Sequence, residues 1–412
     1  MFTFLKKLGP GILFAGAAIG VSHLVYSTRA GTYFGIGLIW ALLLVNLFKY
    51  PFFQYGPRYA NATGESLLEG YKKLGKNILH FYILISLATM FTIQTAVTIV
   101  TAGIASALTN DIISVEIWTV IILAACFFLL YFGKYKMLDK IIKIVILLLA
   151  LSTIVATYLS FKEFNYEFNF SQFFPKENIE ILFLIAFMGW MPAPLDISVW
   201  HSVWTIEKQN AVGKQKMKNT LFDFNIGYLG TLIMGISFML LGYFVMYDSN
   251  ILYDSNASEI SASKFAKQLL KMYDSIGPNA YIIIGLATFT TMFSTTITTL
   301  DASPRTMHKA TELIFNKKIK NGYLYWLIFL IIGTIFIFFN FISEMGLLIK
   351  IATIASFITA PFYAIINYIL ISSHYTPKKH RPSKLMHLLS ILGIIFLLGF
   401  GVWYLSTLEL FI

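Results

Sequence analysis

The sequence predicts an all-α integral membrane protein with eleven transmembrane helices. The chain of 412 residues is 57% hydrophobic and only 12% charged, whereas soluble domains carry roughly 25% charged residues. Its apolar segments are continuous and about 20 residues long, the length that a helix needs to cross about 30 Å of hydrocarbon. Barrel strands would be shorter and would alternate between apolar and polar residues. The composition therefore excludes a soluble enzyme, and the segment pattern indicates spanning helices.

The eleven predicted segments are called spans one to eleven, in chain order. They cover residues 10–34, 35–56, 79–104, 115–133, 141–161, 179–204, 222–246, 278–301, 323–342, 346–372 and 386–408. With a cytoplasmic N-terminus, the inside loops carry 23 Lys and Arg residues and the outside loops carry five. Because cytoplasmic loops hold the excess of these residues, we predict a multi-pass protein of the cell membrane with an external C-terminus. Basic residues spread over six loops argue against a nucleic-acid partner.

Spans one and six each contain helix-breaking residues near their centres. In span one, several glycines lead up to the stretch Gly20–His23, which itself begins with a glycine. Glycine is costly in a helix interior. In span six, Pro192 and Pro194 cannot both lie in a regular helix. Two interruptions five helices apart favour an inverted repeat of five plus five helices, with a substrate site between the breaks. Two unrelated kinks are the alternative.

Four polar residues in the spans are functional candidates. Asp196 follows the second proline, and an ionisable residue inside a span is a candidate by default, although a cap on the second half-helix is an alternative role. His201 lies five residues later and is placed to line the same path and carry protons. The hydroxyls of Thr295 and Thr298 either contribute to coupling-ion binding or bond to carbonyls of their own helix.

Several motifs carry a family resemblance. They are "GPGILFAGAAIGVSHLVYSTRAGTYFG" at 9–35, "TGESLLE" at 63–69, Met191-Pro192 with His201-Ser202, "FDFNIGYLG" at 222–230 and "TMFSTTITTLDAS" at 291–303. Together they resemble the natural resistance-associated macrophage protein (Nramp) family of divalent-metal transporters. The resemblance covers essentially the whole chain. It implies the LeuT-type fold in a single transporter domain, with repeats at about 9–161 and 178–372, an extra helix at about 386–408, and ion-coupled alternating access.

The departures from the family pattern concern the metal ligands. The family's first-helix motif is Asp-Pro-Gly-Asn, and here its aspartate position falls on Gly20 and its asparagine position on His23. Met191 matches the family methionine of the sixth helix, whereas Ala193 stands in place of a histidine. His23, Met191 and Asp196 offer imidazole, thioether and carboxylate donors, which suit a transition metal. The alternatives are a hydrogen-bonded histidine in the pore and a methionine that only packs.

We therefore predict a secondary active transporter that moves a divalent metal cation with an altered ligand set. The alternative keeps the fold but transports a small organic solute with sodium or proton coupling and no divalent-metal binding. The glycine at position 20 favours that alternative, because a dehydrated divalent cation needs anionic or strongly dipolar ligands. No nucleotide-binding glycine motif and no nucleophile–base constellation occurs. We therefore predict no enzymatic activity and no cofactor; the expected partners are a small ion or molecule and the lipid bilayer.

Overall fold

The computed structural model describes residues 8–164, 168–247, 267, 280–341 and 345–409. Within these ranges the regular elements are helices and no strand occurs. Helices α1 to α13 are, in chain order, Pro10–Ala18, Thr28–Phe34, Ile39–Thr63, Leu67–Leu74, Lys76–Leu108, Val115–Glu163, Asn178–Trp190, Ile197–Val212, Met217–Met246, Ala280–Phe315, Gly322–Phe341, Met345–Ser372 and Lys384–Glu409. All eleven predicted spans fall on helices, and the all-α class is confirmed.

Seven helical segments of the described residues are long and apolar enough to cross a membrane. The two halves of span one, which meet at an angle of 48°, form an eighth when they are taken together. Span two carries the buried polar residues Asn46, Lys49 and Gln54, which lower its hydropathy. Span six is divided between two shorter helices, α7 and α8.

Spans four and five both lie within the helical range Val115–Glu163, as the apolar segments Val115–Gly133 and Leu138–Lys162. In the first segment, Trp118 packs against Phe289 near the start of α10, and Tyr131 lies with Arg305 toward its end. In the second, Lys143 interacts with Asp223 near the start of α9, and Phe161 packs against Phe244 near its end. The two segments therefore run in opposite directions, and the chain reverses between them.

Local capping chemistry explains where the second span ends and the next helix begins. Gly64 ends α3 with a φ of +78°, a left-handed conformation that glycine adopts without steric cost. Ser66 and Glu69 form a capping box at the start of α4. The "TGES" sequence thus encodes a tight helix–turn–helix connection.

Both halves of span one pack against α9 through glycine. A Cβ on Gly11 would lie 2.0 Å from the carbonyl oxygen of Asp223, and one on Gly227 would lie 2.0 Å from the carbonyl oxygen of Gly11. A Cβ on Gly31 would lie 1.9 Å from the Met239 carbonyl oxygen. These distances leave no room for any side chain, so the backbones of span one and span seven lie in direct contact.

Candidate functional site

The break in span one lies at Ile19–Gly20. Helix α1 ends at Ala18, and the chain bends before a π-helical turn, Ser22–Ser27, leads into α2. The carbonyl oxygen of Gly20 already accepts a hydrogen bond from the backbone N–H of Leu24 at 2.9 Å. The predicted interruption at Gly20–His23 is therefore corrected: helical hydrogen bonding resumes at Gly20 itself.

Neutral hydroxyls satisfy the carbonyls that this break leaves free. The hydroxyl of Ser22 donates to the Ala18 carbonyl oxygen at 2.8 Å. The hydroxyl of Thr295, on α10, lies 3.1 Å from the carbonyl oxygen of Gly16 and 3.0 Å from that of Ile19. A helix end leaves its last carbonyls without intrahelical partners. Here span eight supplies the partner through a side chain that carries no charge.

The break in span six is wider. Helix α7 ends at Trp190 and α8 begins at Ile197, so the six residues between them are not helical. The peptide bond between Met191 and Pro192 is cis. This interruption lies where Pro192 and Pro194 predicted it, because neither proline supplies an N–H to a helical ladder.

A lysine side chain satisfies the carbonyls of this second break. Lys49, on α3, is fully buried, and its Nζ lies 2.9, 2.7 and 3.0 Å from the carbonyl oxygens of Met188, Gly189 and Met191. A fourth carbonyl, that of Ala193, lies 3.4 Å away. The three N–H donors of the ammonium form match the three carbonyl oxygens within 3.0 Å.

Asp196 lies next to this cluster. Its carboxylate interacts electrostatically with Lys49 and with the hydroxyls of Tyr71, Tyr82 and Tyr363. Its Oδ1 is buried and has no hydrogen-bond partner among the described residues. The side chain makes no capping hydrogen bond to the interior of α8, although the backbone N–H of Ile197, its first residue, interacts with the carboxyl group. Its interaction with Lys49 is electrostatic and has no direct ion-pair contact among the described residues.

A small cavity of about 30 Å³ lies between the two breaks. Its walls come from both broken spans and from α5 and α10. The lining residues are Ala17, Ala18, Gly20, Val21, Ser22, Ile93, Val97, Trp190, Pro194, Ile197, Trp200, Thr295 and Thr299. Most of these side chains are apolar, and hydroxyls and backbone groups supply the polarity. The volume is comparable to that of one or two water molecules or an ion.

Two predicted ligands are engaged with other protein groups. The Nε2 of His23 lies 3.0 Å from the Thr231 carbonyl oxygen, and its Nδ1 lies 2.7 Å from the Ser22 hydroxyl. Because a carbonyl oxygen only accepts, Nε2 carries a proton. The sulfur of Met191 accepts a hydrogen bond from the Ser27 hydroxyl at 3.9 Å. His23 is therefore a hydrogen-bonded histidine in this structure, which was the alternative to a metal ligand.

The remaining predicted residues divide between the cavity and its surroundings. Gly20 and Thr295 line the cavity, whereas the Thr298 hydroxyl donates to the Ser294 carbonyl oxygen of its own helix at 2.7 Å. Ala193 contributes only its carbonyl, to Lys49. The ring of His201 stacks on Phe14 at a centroid distance of 5.7 Å. His201 is thus held against α1 and not beside Asp196.

Sequence reasoning missed Lys49 as a site residue. Its four carbonyl partners lie 139 to 144 residues away along the chain, a relation that no local pattern shows. The available signal was the charge itself, since a lysine in the middle of a span is a functional candidate. Among the described residues, no group of three or more His, Cys, Asp and Glu is placed to hold a metal ion.

Polar contacts close the predicted cytoplasmic side of the cavity. The carboxylate of Asp223 accepts the backbone N–H groups of Gly9 and Gly11 at 2.9 and 3.1 Å, and the Nζ of Lys208 lies 3.8 Å from it. These N–H groups are the free donors at the start of α1, where an anion is stabilised. The first helix is thereby fastened to span seven.

A second group of contacts joins α8 to α10 at the same side. Asp301 accepts hydrogen bonds from Trp204 at 3.1 Å and from Tyr323 at 3.0 Å, and pairs with Arg305 at 2.5 Å. Burial lowers the pKa of Arg305, but the neighbouring carboxylates of Asp301 and Glu207 outweigh it and raise that pKa above its usual value. Beyond these residues lies a polar vestibule of about 600 Å³.

Aromatic side chains close the opposite side. Tyr26 packs against Phe183 and Trp190 with centroid distances of 5.9 and 6.4 Å. The indole N–H of Trp190 donates to the Ser356 hydroxyl at 3.0 Å. Farther out, Phe34 stacks on Phe173 at 4.6 Å. Side-chain contacts are thus present between the cavity and each end of the molecule.

Comparison with known families identifies the chain. The profile described as natural resistance-associated macrophage protein-like (Nramp) matches residues 11–407. The chain belongs to the Nramp family. An uncharacterised protein of Pasteurella multocida, PM0681, is 33% identical over 97% of this chain and 92% of its own length.

Solved structures similar to this Nramp chain are transporters of the LeuT-type fold. The manganese transporter of Eremococcus coleocola aligns over 100% of this chain and 96% of its own, with a TM-score of 0.69 at 13% identity. A nucleobase-cation-symport-1 family transporter covers 98% and 92%, with a TM-score of 0.61 at 13% identity. MhsT, solved with L-phenylalanine, covers 97% of each chain, with a TM-score of 0.64 at 13% identity. The predicted family and fold are confirmed.

Proposed function

We propose that this Nramp-family chain is a secondary active transporter that works by alternating access. The observation that carries the proposal is the 30 Å³ cavity between two broken helices, with a separate set of contacts, or seal, on each of two sides. Two independent seals can open one at a time. A site that lies between them meets each side of the membrane in turn, which is how broken-helix transporters move a substrate.

The proposed substrate is a divalent metal cation. Membership of the Nramp family and the fold shared with a manganese transporter support it. The size of the cavity also supports it, because an ion fits a space of about 30 Å³ and a larger solute does not. His23, Met191 and Asp196 remain the proposed altered ligand set, and His23 and Met191 must exchange their present partners to reach a metal.

A small organic solute is the second candidate. Gly20 and Lys49 are the specific observations in its favour. The glycine brings no carboxylate to the first break, and the lysine places a positive charge on the carbonyls of the second. A site of this composition is a weak chelator of divalent cations. A solute would require the cavity to expand when the seals open.

We also propose the orientation and the repeat organisation that the sequence predicts. The N-terminus faces the cytoplasm in this proposal, so the contacts of Asp223 and Asp301 form the cytoplasmic seal. The repeats at about 9–161 and 178–372 place one broken helix at the start of each. The charge bias of the loops supports the orientation.

Uptake into proteoliposomes tests the proposed function. Purified protein should accumulate Mn²⁺ when a proton or sodium gradient is imposed, and competition by Mg²⁺ and Ca²⁺ gives the selectivity. Asp196→Asn should abolish uptake, because the amide keeps the shape and loses the charge. Thr298→Val is the matched control and should retain uptake. If Mn²⁺ uptake is absent and a metal-free solute screen yields a transported compound, the second candidate replaces the first.

A further inference from the structure

Lys49 places a basic side chain of the protein inside the break in span six. Its ammonium occupies the space where the carbonyl oxygens of Met188, Gly189 and Met191 converge. Carbonyl oxygens that converge on one point form a ligand set for a cation. In this chain a positive charge already lies at that point, and it belongs to the protein.

The position of this charge is fixed by packing as well as by hydrogen bonds. Lys49 is fully buried, so its side chain has no solvent to which it can withdraw. Asp196 is buried nearby and interacts electrostatically with it. Removing an ammonium from such surroundings costs several hydrogen bonds and a charge interaction at once. An incoming cation therefore does not displace it readily.

We propose that Lys49 is a resident cation that determines the specificity of the substrate site. It reserves the carbonyls of the span-six break and repels a second cation from them, so these carbonyls contribute no ligands to a bound divalent metal. A metal then depends on the side chains of the proposed ligand set and on the span-one groups near Gly20, Ser22 and Thr295, and it has fewer strong ligands. This inference rests on the proposed transport of a metal.

The consequence is a weak divalent-metal site whose affinity rises when the ammonium is removed. Two positive charges a few ångströms apart in a poorly screened site repel strongly. Neutralising Lys49 should therefore tighten Mn²⁺ binding on the order of tenfold or more. Removing the charge also frees the carbonyls that Lys49 occupies, so the gain reports the lost repulsion together with the released ligands; Lys49→Leu, which brings no oxygen atom, should show it as well as Lys49→Gln.

Equilibrium binding of Mn²⁺ to the purified protein tests this proposal. Lys49→Gln removes the charge but keeps an amide that donates two hydrogen bonds. The expected result is Mn²⁺ binding on the order of tenfold tighter than wild type by calorimetry, with a larger Mn²⁺-induced rise in melting temperature. A folded Lys49→Gln protein with the wild-type Mn²⁺ affinity would overturn the proposal and leave Lys49 as a structural cap.

The matched control is Lys72→Gln. The Nζ of Lys72 also donates to a backbone carbonyl, that of Leu313 at 2.7 Å, but it lies on α4 and away from the breaks. Its substitution should leave Mn²⁺ affinity unchanged. An equal gain in Lys72→Gln would indicate that overall charge, and not the position of Lys49, sets the affinity.

A measurement on the wild type covers the case in which Lys49→Gln does not fold. Crystals soaked in Mn²⁺ should show no anomalous peak within bonding distance of the Gly189 or Met191 carbonyl oxygens. A peak there would overturn the proposal. Because binding is measured without transport, a wild type that fails to take up Mn²⁺ counts against the proposed function and leaves the comparison of Lys49 variants valid.

Discussion

Both broken spans leave backbone carbonyls without helical partners, and different groups satisfy these carbonyls in the two spans. In span one, the free carbonyls of Ala18 and Ile19 accept hydrogen bonds from the hydroxyls of Ser22 and Thr295. In span six, the free carbonyls converge on the ammonium of Lys49. A hydroxyl can rotate and exchange its partner for an ion, whereas a buried ammonium cannot leave without exposing several acceptors. The difference makes span one the adaptable half of the site and span six the rigid half.

Among the substitutions at the two breaks, removing the ammonium of Lys49 should lower the free energy of unfolding most. In Lys49→Met the side chain is uncharged and donates no hydrogen bond, so several buried carbonyls lose their partner. We expect the free energy of unfolding to fall by about 3–5 kcal/mol, measured as thermal or denaturant unfolding in detergent. A loss below about 1 kcal/mol would mean that water replaces the ammonium and that span six is no more rigid than span one.

Adding a carboxylate to span one should have the next largest effect. A Cβ at Gly20 would lie 2.8 Å from both Oγ1 and Cγ2 of Thr295, so Gly20→Asp should lower the free energy of unfolding by about 1–3 kcal/mol.

The companion substitution Thr295→Gly removes this clash. The double variant should recover stability relative to Gly20→Asp and bind Mn²⁺ more tightly than Thr295→Gly alone, as calorimetry would record. Equal Mn²⁺ affinities in these two proteins would show that position 20 does not face the ion.

Thr295→Val removes the neutral hydroxyl that span eight supplies to the first break, and so measures its contribution. Valine keeps the branched shape but leaves the carbonyls of Gly16 and Ile19 without this donor. The expected loss in free energy of unfolding is about 1–2 kcal/mol, and the melting temperature gives the readout. A loss as large as that of Lys49→Met would erase the contrast between the two breaks.

Thr298→Val should have the smallest effect. Its hydroxyl bonds to the Ser294 and Thr295 carbonyl oxygens of its own helix, which keep their helical partners in the variant. We expect a change below about 0.5 kcal/mol in the same unfolding measurement. A larger change would place Thr298 in the contact between spans, where the sequence allowed it to be.

Local chemistry made the helices and their breaks predictable. Pro192 and Pro194 cannot continue a helix, and the break in span six lies there. The glycine-rich stretch marked the break in span one to within a few residues. Its position at Ile19–Gly20 depends on Thr295, which lies 275 residues farther along the chain and supplies the hydroxyl that lets α1 end there.

Side-chain partners across the fold were not predictable. The residue types at positions 23 and 191 suggested ligands, but His23 faces the Thr231 carbonyl and Met191 receives the Ser27 hydroxyl. The sequence shows Lys49 only as one of several basic residues inside the spans. Its carbonyl partners in the break of span six are apparent only in the structure.

Contacts at both ends hold the short helix α1 in place as one rigid unit. Its nine residues extend about 13 Å; the carboxylate of Asp223 fixes one end and the hydroxyl of Thr295 fixes the other. An ion that draws Thr295 into its coordination shell releases one of the two fixings. The helix is then held only at its Asp223 end, beside the glycine contact with α9. Events at the centre of the molecule are in this way transmitted along α1 to the end of the molecule that holds Asp223.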